Sequence, residues 1–177
     1  MFPLFRLMKM AVHQRSRPKP RFNEMSEVSF YCRPWDLDLQ LEVNNGRVLT
    51  LYDIGRMDLA FRCGLIKALR RNRWGLAVAG GSNRFRKRVH FPSKITIKTQ
   101  AVGYDERWIY MSQSMWVKGE AASNGLFRTC VTEKGRAVST DRVIEALGVE
   151  DWQPELPDWV KAWIAADEKR PWPPNSD

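Results

Sequence analysis

The chain has 177 residues, enough for one domain with a sizeable core, and 44% hydrophobic with 11% aromatic content excludes a disordered chain. Twenty-nine Lys plus Arg against 20 Asp plus Glu give a formal net charge of +9, which fits an anionic partner: nucleic acid, an acidic membrane surface or a phosphorylated small molecule. Cys32, Cys63 and Cys130 are odd in number and lack a CxxC spacing, so they indicate neither a disulfide framework nor a zinc site and fit a reducing, cytoplasmic compartment.

The first residues, MFPLFRLMKMAVHQRSR, are apolar but interrupted by Arg6 and Lys9, with no uninterrupted apolar region or small-residue cleavage site. They are too short and too charged to span a bilayer. As a helix from Leu4 they set Leu4, Leu7, Met8 and Ala11 on one face, which fits a docking helix, a frayed tail or peripheral membrane contact through residues 1–17. A basic, proline-containing linker from Arg15 to Phe22 follows, so residues 1–24 form an N-terminal segment ahead of a domain at 25–148.

Val28 to Cys32 predicts a first strand, ended by Pro34. The stretch DLDLQLEVNNGRVL, Asp36 to Leu49, then leads into one long helical pattern running to Asn72, with Asn44 or Asn45 as N-cap and Arg70, Arg71 and Arg73 at the negative end. Apolar residues cover most of its circumference, so this helix is expected to be buried.

Four strand-like runs follow: Leu76 to Phe91, Lys94 to Gly103, Arg107 to Gly119 and Gly125 to Glu133. Ile95, Ile97 and Ala101 alternate with Lys94, Thr96, Lys98 and Gln100, and the Gly103 to Glu106 link is short enough for an antiparallel hairpin. Ser139 to Gly148 reads as a capped helix, and residues 149–177 hold a further amphipathic helix at Pro157 to Glu168 and a tail. A strand, a helix apolar on most sides and several antiparallel strands predict an α+β hot-dog fold, in which the sheet curls around the helix.

The architecture and the quoted stretch resemble the hot-dog thioesterases of the 4-hydroxybenzoyl-CoA thioesterase type, within them the acyl-CoA thioesterase-like group. The pattern there is Asp-x-Asp, three residues, His-x-Asn-Asn, two residues, Tyr-Leu, and an acidic residue and an arginine farther on. Asp36, Asp38, Asn44, Asn45, Leu49, Asp53 and Arg56 occupy those positions, while Glu42 stands in the place of the histidine and Val48 in that of the tyrosine. The resemblance spans about Val28 to Leu147. It implies an acyl-CoA thioesterase with no metal or redox cofactor, acting as a homodimer or larger homo-oligomer, with a non-hydrolytic acyl-CoA or lipid-binding protein as the alternative.

The resemblance assigns the reacting carboxylate to Asp38 and a carbonyl-polarising backbone donor to Asn45. Thioester hydrolysis needs activated water or an attacking carboxylate, plus donors for the developing oxyanion, and a carboxylate beside a helix N-terminus meets both needs. The residues alone also allow Asp36 and Asp38 to be turn carboxylates, with Asp36 paired to an arginine, and Asn44 and Asn45 to be caps. Glu42 reads as a second site carboxylate, a partner for Arg47 or a solvated charge, and Asp53 can pair with Arg56 three residues on.

Asn44, Glu42 and Gly81 are candidate substrate contacts, with Arg84, Arg86 and Arg88 expected along one strand face to meet the phosphates of coenzyme A. His13 and His90 are too few for a metal site or a triad. A nucleic-acid partner is not expected, because neither a helix-turn-helix nor an RNA-binding aromatic motif is present.

Overall fold

The structure is a computed structural model that describes residues 6–8, 12 and 17–174. In chain order it contains β1 (Ser26–Tyr31), a short 3-10 turn (Pro34–Asp36), α1 (Asn45–Arg62), α2 (Leu65–Asn72), β2 (Gly75–Phe85), β3 (Lys94–Tyr104), β4 (Ile109–Val117), β5 (Glu120–Glu133), β6 (Arg136–Ala137), α3 (Thr140–Leu147) and α4 (Asp158–Glu168). The main sheet runs β1-β3-β4-β5-β2, every pair antiparallel, with β6 paired to the end of β5.

Register shifts at Val78/Gly80, Ala101/Gly103 and Met115/Trp116 bend three of the five long strands. The sheet curls around α1, as the hot-dog arrangement requires. On β3 the alternation holds: Ile95, Ile97, Thr99 and Ala101 are buried while their neighbours are only half covered. Ile95, Ile97 and Ala101 join Val48, Leu51, Tyr52, Ile54 and Leu59 of α1 in one core. Helix and sheet pack tightly at Gly55, where an added Cβ would lie 2.6 Å from both Ile97 and Thr99 side chains.

The long helix differs from its expected form. Gly64 takes a left-handed conformation, φ +89°, and divides the pattern into α1 and α2. One face of α1 is also open, with Leu49 at 40% exposure. The N-cap is Asn44, whose Oδ1 accepts from the Arg47 N–H at 3.2 Å. The last long strand begins at Glu120 rather than Gly125, because Lys118 and Gly119, both at positive φ, form a tight hairpin with β4.

Two buried carboxylates tie the N-terminal segment to this core. Asp58 of α1 accepts from Arg17 and Arg62, each at 2.7 Å, and from Ser26 at 2.8 Å. Asp36 accepts from Arg6 and Arg47 and from the backbone of Arg33. Leu7 packs against the core and Met8 is exposed, whereas Leu4 and Ala11 of the expected apolar face lie outside the described residues. Among the described residues no helix is long and apolar enough to cross a membrane.

The opposite face of the sheet is closed over β3, β4 and β5 by α4. Val160, fully buried, packs with Trp163, Ile164 and Leu156 on Val102, Tyr110 and Leu126. Arg128 of β5 fixes the helix through Asp167 at 2.8 Å and lies over the rings of Trp108 and Trp163.

Candidate functional site

The site is built on the loop between the 3-10 turn and α1. Asp36 anchors its start: burial would push this carboxyl up, but the Arg6 and Arg47 guanidinium groups and the Arg33 N–H hold it below the ordinary carboxylate range. The Asp36 carbonyl accepts from the Asn44 N–H at 2.9 Å, so both ends of the loop close on one residue. Leu37 bridges to Val43, Asp38 N–H donates to the Glu42 carbonyl at 2.8 Å, and Leu41 turns the chain with φ 60°. On its other side the loop pairs with the segment after β2, through Val43 N–H to the Val89 carbonyl at 2.8 Å and a Glu42 to His90 bridge.

A cavity of about 190 Å³ opens where this loop, the start of α1 and the segment after β2 meet. Glu42 and Asn45 supply its polar wall near the helix start, Val43, Val48, Met115 and Ala122 its apolar wall, and Phe85 and Arg86, Lys87 and Arg88 its rim. The first N–H groups of a helix have no acceptor inside it, and Asn44 caps only that of Arg47. The N–H groups of Asn45 and Gly46 therefore carry the positive end of the helix dipole, and Asn45 lines the cavity.

The expected site residues separate here. Asn45 and Glu42 line the cavity, and so do Arg86 and Arg88. Asp38 does not: its Oδ1 accepts from the Gln40 N–H at 2.8 Å, a turn-forming bond. Asn44 is an exposed cap, and Gly81 opposes Phe127 on β5, where a Cβ would come 2.9 Å from that ring, so its small size serves packing.

Arg84, Arg86 and Arg88 do not share a strand face. The strand ends at Phe85, and the N–H groups of Arg86 and Lys87 both donate to the Ala122 carbonyl, which interrupts the alternation. Glu42 pairs with Arg88 at 3.2 Å rather than with Arg47, and Lys87 pairs with Glu120 at 2.6 Å.

A buried polar set between α1 and β4 extends the expected Asp53–Arg56 pair to residues outside the motif. Gln113 donates to the Tyr52 carbonyl and to Thr99 and accepts from Arg56, which also pairs with Asp53, while the Tyr52 hydroxyl meets Ser123 at 2.8 Å. Arg56 lies over the Phe127 ring, and burial pulls its pKa down. Burial also pushes up the Cys63 thiol, to about 11, and those of Cys32 and Cys130, so none is primed as a thiolate nucleophile.

A larger, open groove of about 940 Å³ runs past His90, Phe91, Lys94, Lys98 and Trp116, and its carboxylate, Glu27, is paired with Lys98 at 2.9 Å. It contains none of the expected site residues. Among the described residues no group of three or more His, Cys, Asp or Glu is placed to hold a metal ion.

The sequence pattern of the thioesterase-like superfamily matches residues 32–164, which include the loop, the cavity and the first part of α4. The chain belongs to this superfamily. Protein THEM6 of Xenopus laevis is 25% identical over 134 residues, which cover 74% of this chain and 63% of that protein. This superfamily member thus spans less than two thirds of that relative's length. Among solved structures, YbaW, a probable thioesterase of Escherichia coli, superposes with a TM-score of 0.63 at 18% identity, over 68% of this chain and 95% of its own. The DHNA-CoA thioesterase of Staphylococcus aureus gives 0.58 at 17% identity, over 81% and 91%. A Thermus thermophilus thioesterase complexed with coenzyme A and zinc gives 0.58 at 20%, over 69% and 93%. At these identities the structural likenesses establish the shared fold.

Proposed function

We propose that the protein hydrolyses an acyl-CoA thioester to the free acid and coenzyme A. The observation that carries this reading is the cavity at the N-terminus of α1, which joins free helix amides, a carboxylate and an apolar wall. The thioester carbonyl points its oxygen at the Asn45 and Gly46 amides, and one such donor is worth ~2.7–4 kcal/mol in the transition state. A carboxylate of the loop supplies the base or nucleophile. The acyl group meets Val48 and Met115, and Arg86 and Arg88 at the rim attract the phosphates.

We place the activity in a homodimer. β2 is an edge strand exposed along its length, with Leu76, Val78 and Phe85 between 41 and 49% exposed, while α4 covers the outer face over the middle of the sheet. Pairing of two β2 edges covers these side chains and sets the rim arginines close to the second subunit. Light scattering at micromolar concentration is expected to give twice the chain mass, and a monomer contradicts the assembly.

The test of function is thiol release from a panel of short-, long-chain and aromatic acyl-CoA esters. Turnover of at least one class is expected, and none across the panel refutes hydrolysis. A second reading, acyl-CoA binding without hydrolysis, is favoured by the engagement of Asp38 in its turn. Calorimetric binding of an acyl-CoA with no turnover on the panel supports that reading.

A further inference from the structure

We infer that Glu42, not Asp38, is the carboxylate that activates water in this site, an inference that rests on the hydrolase reading above. The two side chains come from the two strands of one tight loop, joined by the Asp38 N–H to Glu42 carbonyl bond at 2.8 Å. Their surroundings differ. The Asp38 carboxylate folds back on its own loop, accepting from Gln40, and lies outside the cavity. The Glu42 side chain lines the cavity three positions ahead of the amide of Asn45.

Its Oε2 is fully enclosed by protein and accepts no hydrogen bond, although Arg88 Nε lies 3.2 Å away as a charge contact without hydrogen-bond geometry. A buried carboxylate oxygen with lone pairs to spare, between an apolar wall and a helix N-terminus, is the acceptor a water molecule needs. Arg88 is 71% exposed, so it meets the carboxylate from the solvent side without closing the cavity.

In the step this geometry supports, one carboxylate oxygen of Glu42 takes a proton from water as the water oxygen bonds to the thioester carbon. The carbonyl oxygen becomes negative against the helix amides. When the carbonyl reforms, the carbon–sulfur bond breaks and its electron pair leaves on sulfur, which receives the proton from Glu42. The products are a carboxylic acid and a thiol, with no other reactant consumed.

The experiment compares wild type, Glu42→Gln, Glu42→Asp and Asp38→Asn on the best substrate of the panel, recording kcat, KM and the pH dependence of kcat/KM, with melting temperatures as the folding control. Gln is isosteric, and loss of an ion pair with a solvated arginine leaves no charge stranded, so Glu42→Gln is expected to fold. It should lower kcat by about 100-fold or more with KM nearly unchanged, the range of a general base, and remove the acidic limb of the pH profile. Glu42→Asp should keep that limb at reduced kcat, and Asp38→Asn should retain it. Wild-type-like kcat and pH profile in Glu42→Gln, or loss of the acidic limb in Asp38→Asn alone, overturns the assignment while hydrolysis stands. A wild type inert across the panel overturns both.

Discussion

Replacing Asp36 by Asn removes a charge from the most enclosed ionic node of the site loop. The carboxylate is fully buried and faces two guanidinium groups, Arg6 at 2.5 Å and Arg47 at 2.7 Å, whose side chains are only 14 and 13% exposed. Removing one partner of a buried ion pair costs ~3–5 kcal/mol, because the remaining charge loses its counter-ion without regaining water. Asn keeps one acceptor oxygen, which places the expected loss near the lower end, about 3 kcal/mol, against a total stability of ~5–15 kcal/mol. For a chain of this size that corresponds to roughly 6–12 °C in melting temperature, at about 2–4 °C per kcal/mol.

The same carboxylate gives the wild type an acid signature. Its folded pKa is depressed, so its contribution is complete above the unfolded value of ~3.9 and is lost as pH falls from there through the lower folded value. Urea titrations of both proteins between pH 7 and pH 3 are expected to show the stability gap narrowing on acidification. A variant within about 1 kcal/mol of wild type at neutral pH, or a gap that stays constant to pH 3, refutes the node as a source of stability.

Gly55→Ala places a methyl against Ile97, Thr99 and Gln113 and should cost ~1–3 kcal/mol in urea denaturation; an unchanged midpoint would show that the helix can move off the sheet freely. Val160→Asp puts an unpaired charge into the small core under α4 and should release that helix, seen as a red shift of tryptophan emission from Trp163 and faster proteolysis near residue 157. If emission and cleavage stay as in wild type, α4 is not held by that contact. Iodoacetamide at neutral pH should label Cys32, Cys63 and Cys130 slowly until denaturant is added, since burial raises all three thiols, and rapid native labelling would contradict this.

Much of the frame was legible because it depends on local chemistry. Alternation in Lys94 to Gly103 set the inward face of β3, the Asn44-Asn45 pair signalled the start of α1, where Asn44 is the cap, and Gly148 ended α3 in the left-handed conformation that glycine tolerates. Gln113 was also readable in part, since it takes the inward place between Met111 and Met115 on β4, a polar group where the pattern calls for an apolar one. Its three partners were not, because they come from α1 and β3.

The break at Gly64 was missed because apolar residues continue on both sides of it, and periodicity does not register a single change of φ. The arginines after β2 were misplaced because strand alternation was extended past Phe85, where the chain bulges against Ala122. The partners of Asp36 and Asp58 include Arg6 and Arg17, 30 and 41 residues away, and no local rule selects them. By itself the sequence determined the family, the curled sheet and the loop that carries the polar groups, because periodicity, caps and motif spacing are short-range properties. Which carboxylate of that loop enters the cavity was decided only by the tertiary structure: the choice depends on the pairing of Val43 and Glu42 with Val89 and His90, residues far along the chain that turn one side chain inward and leave the other to its own turn.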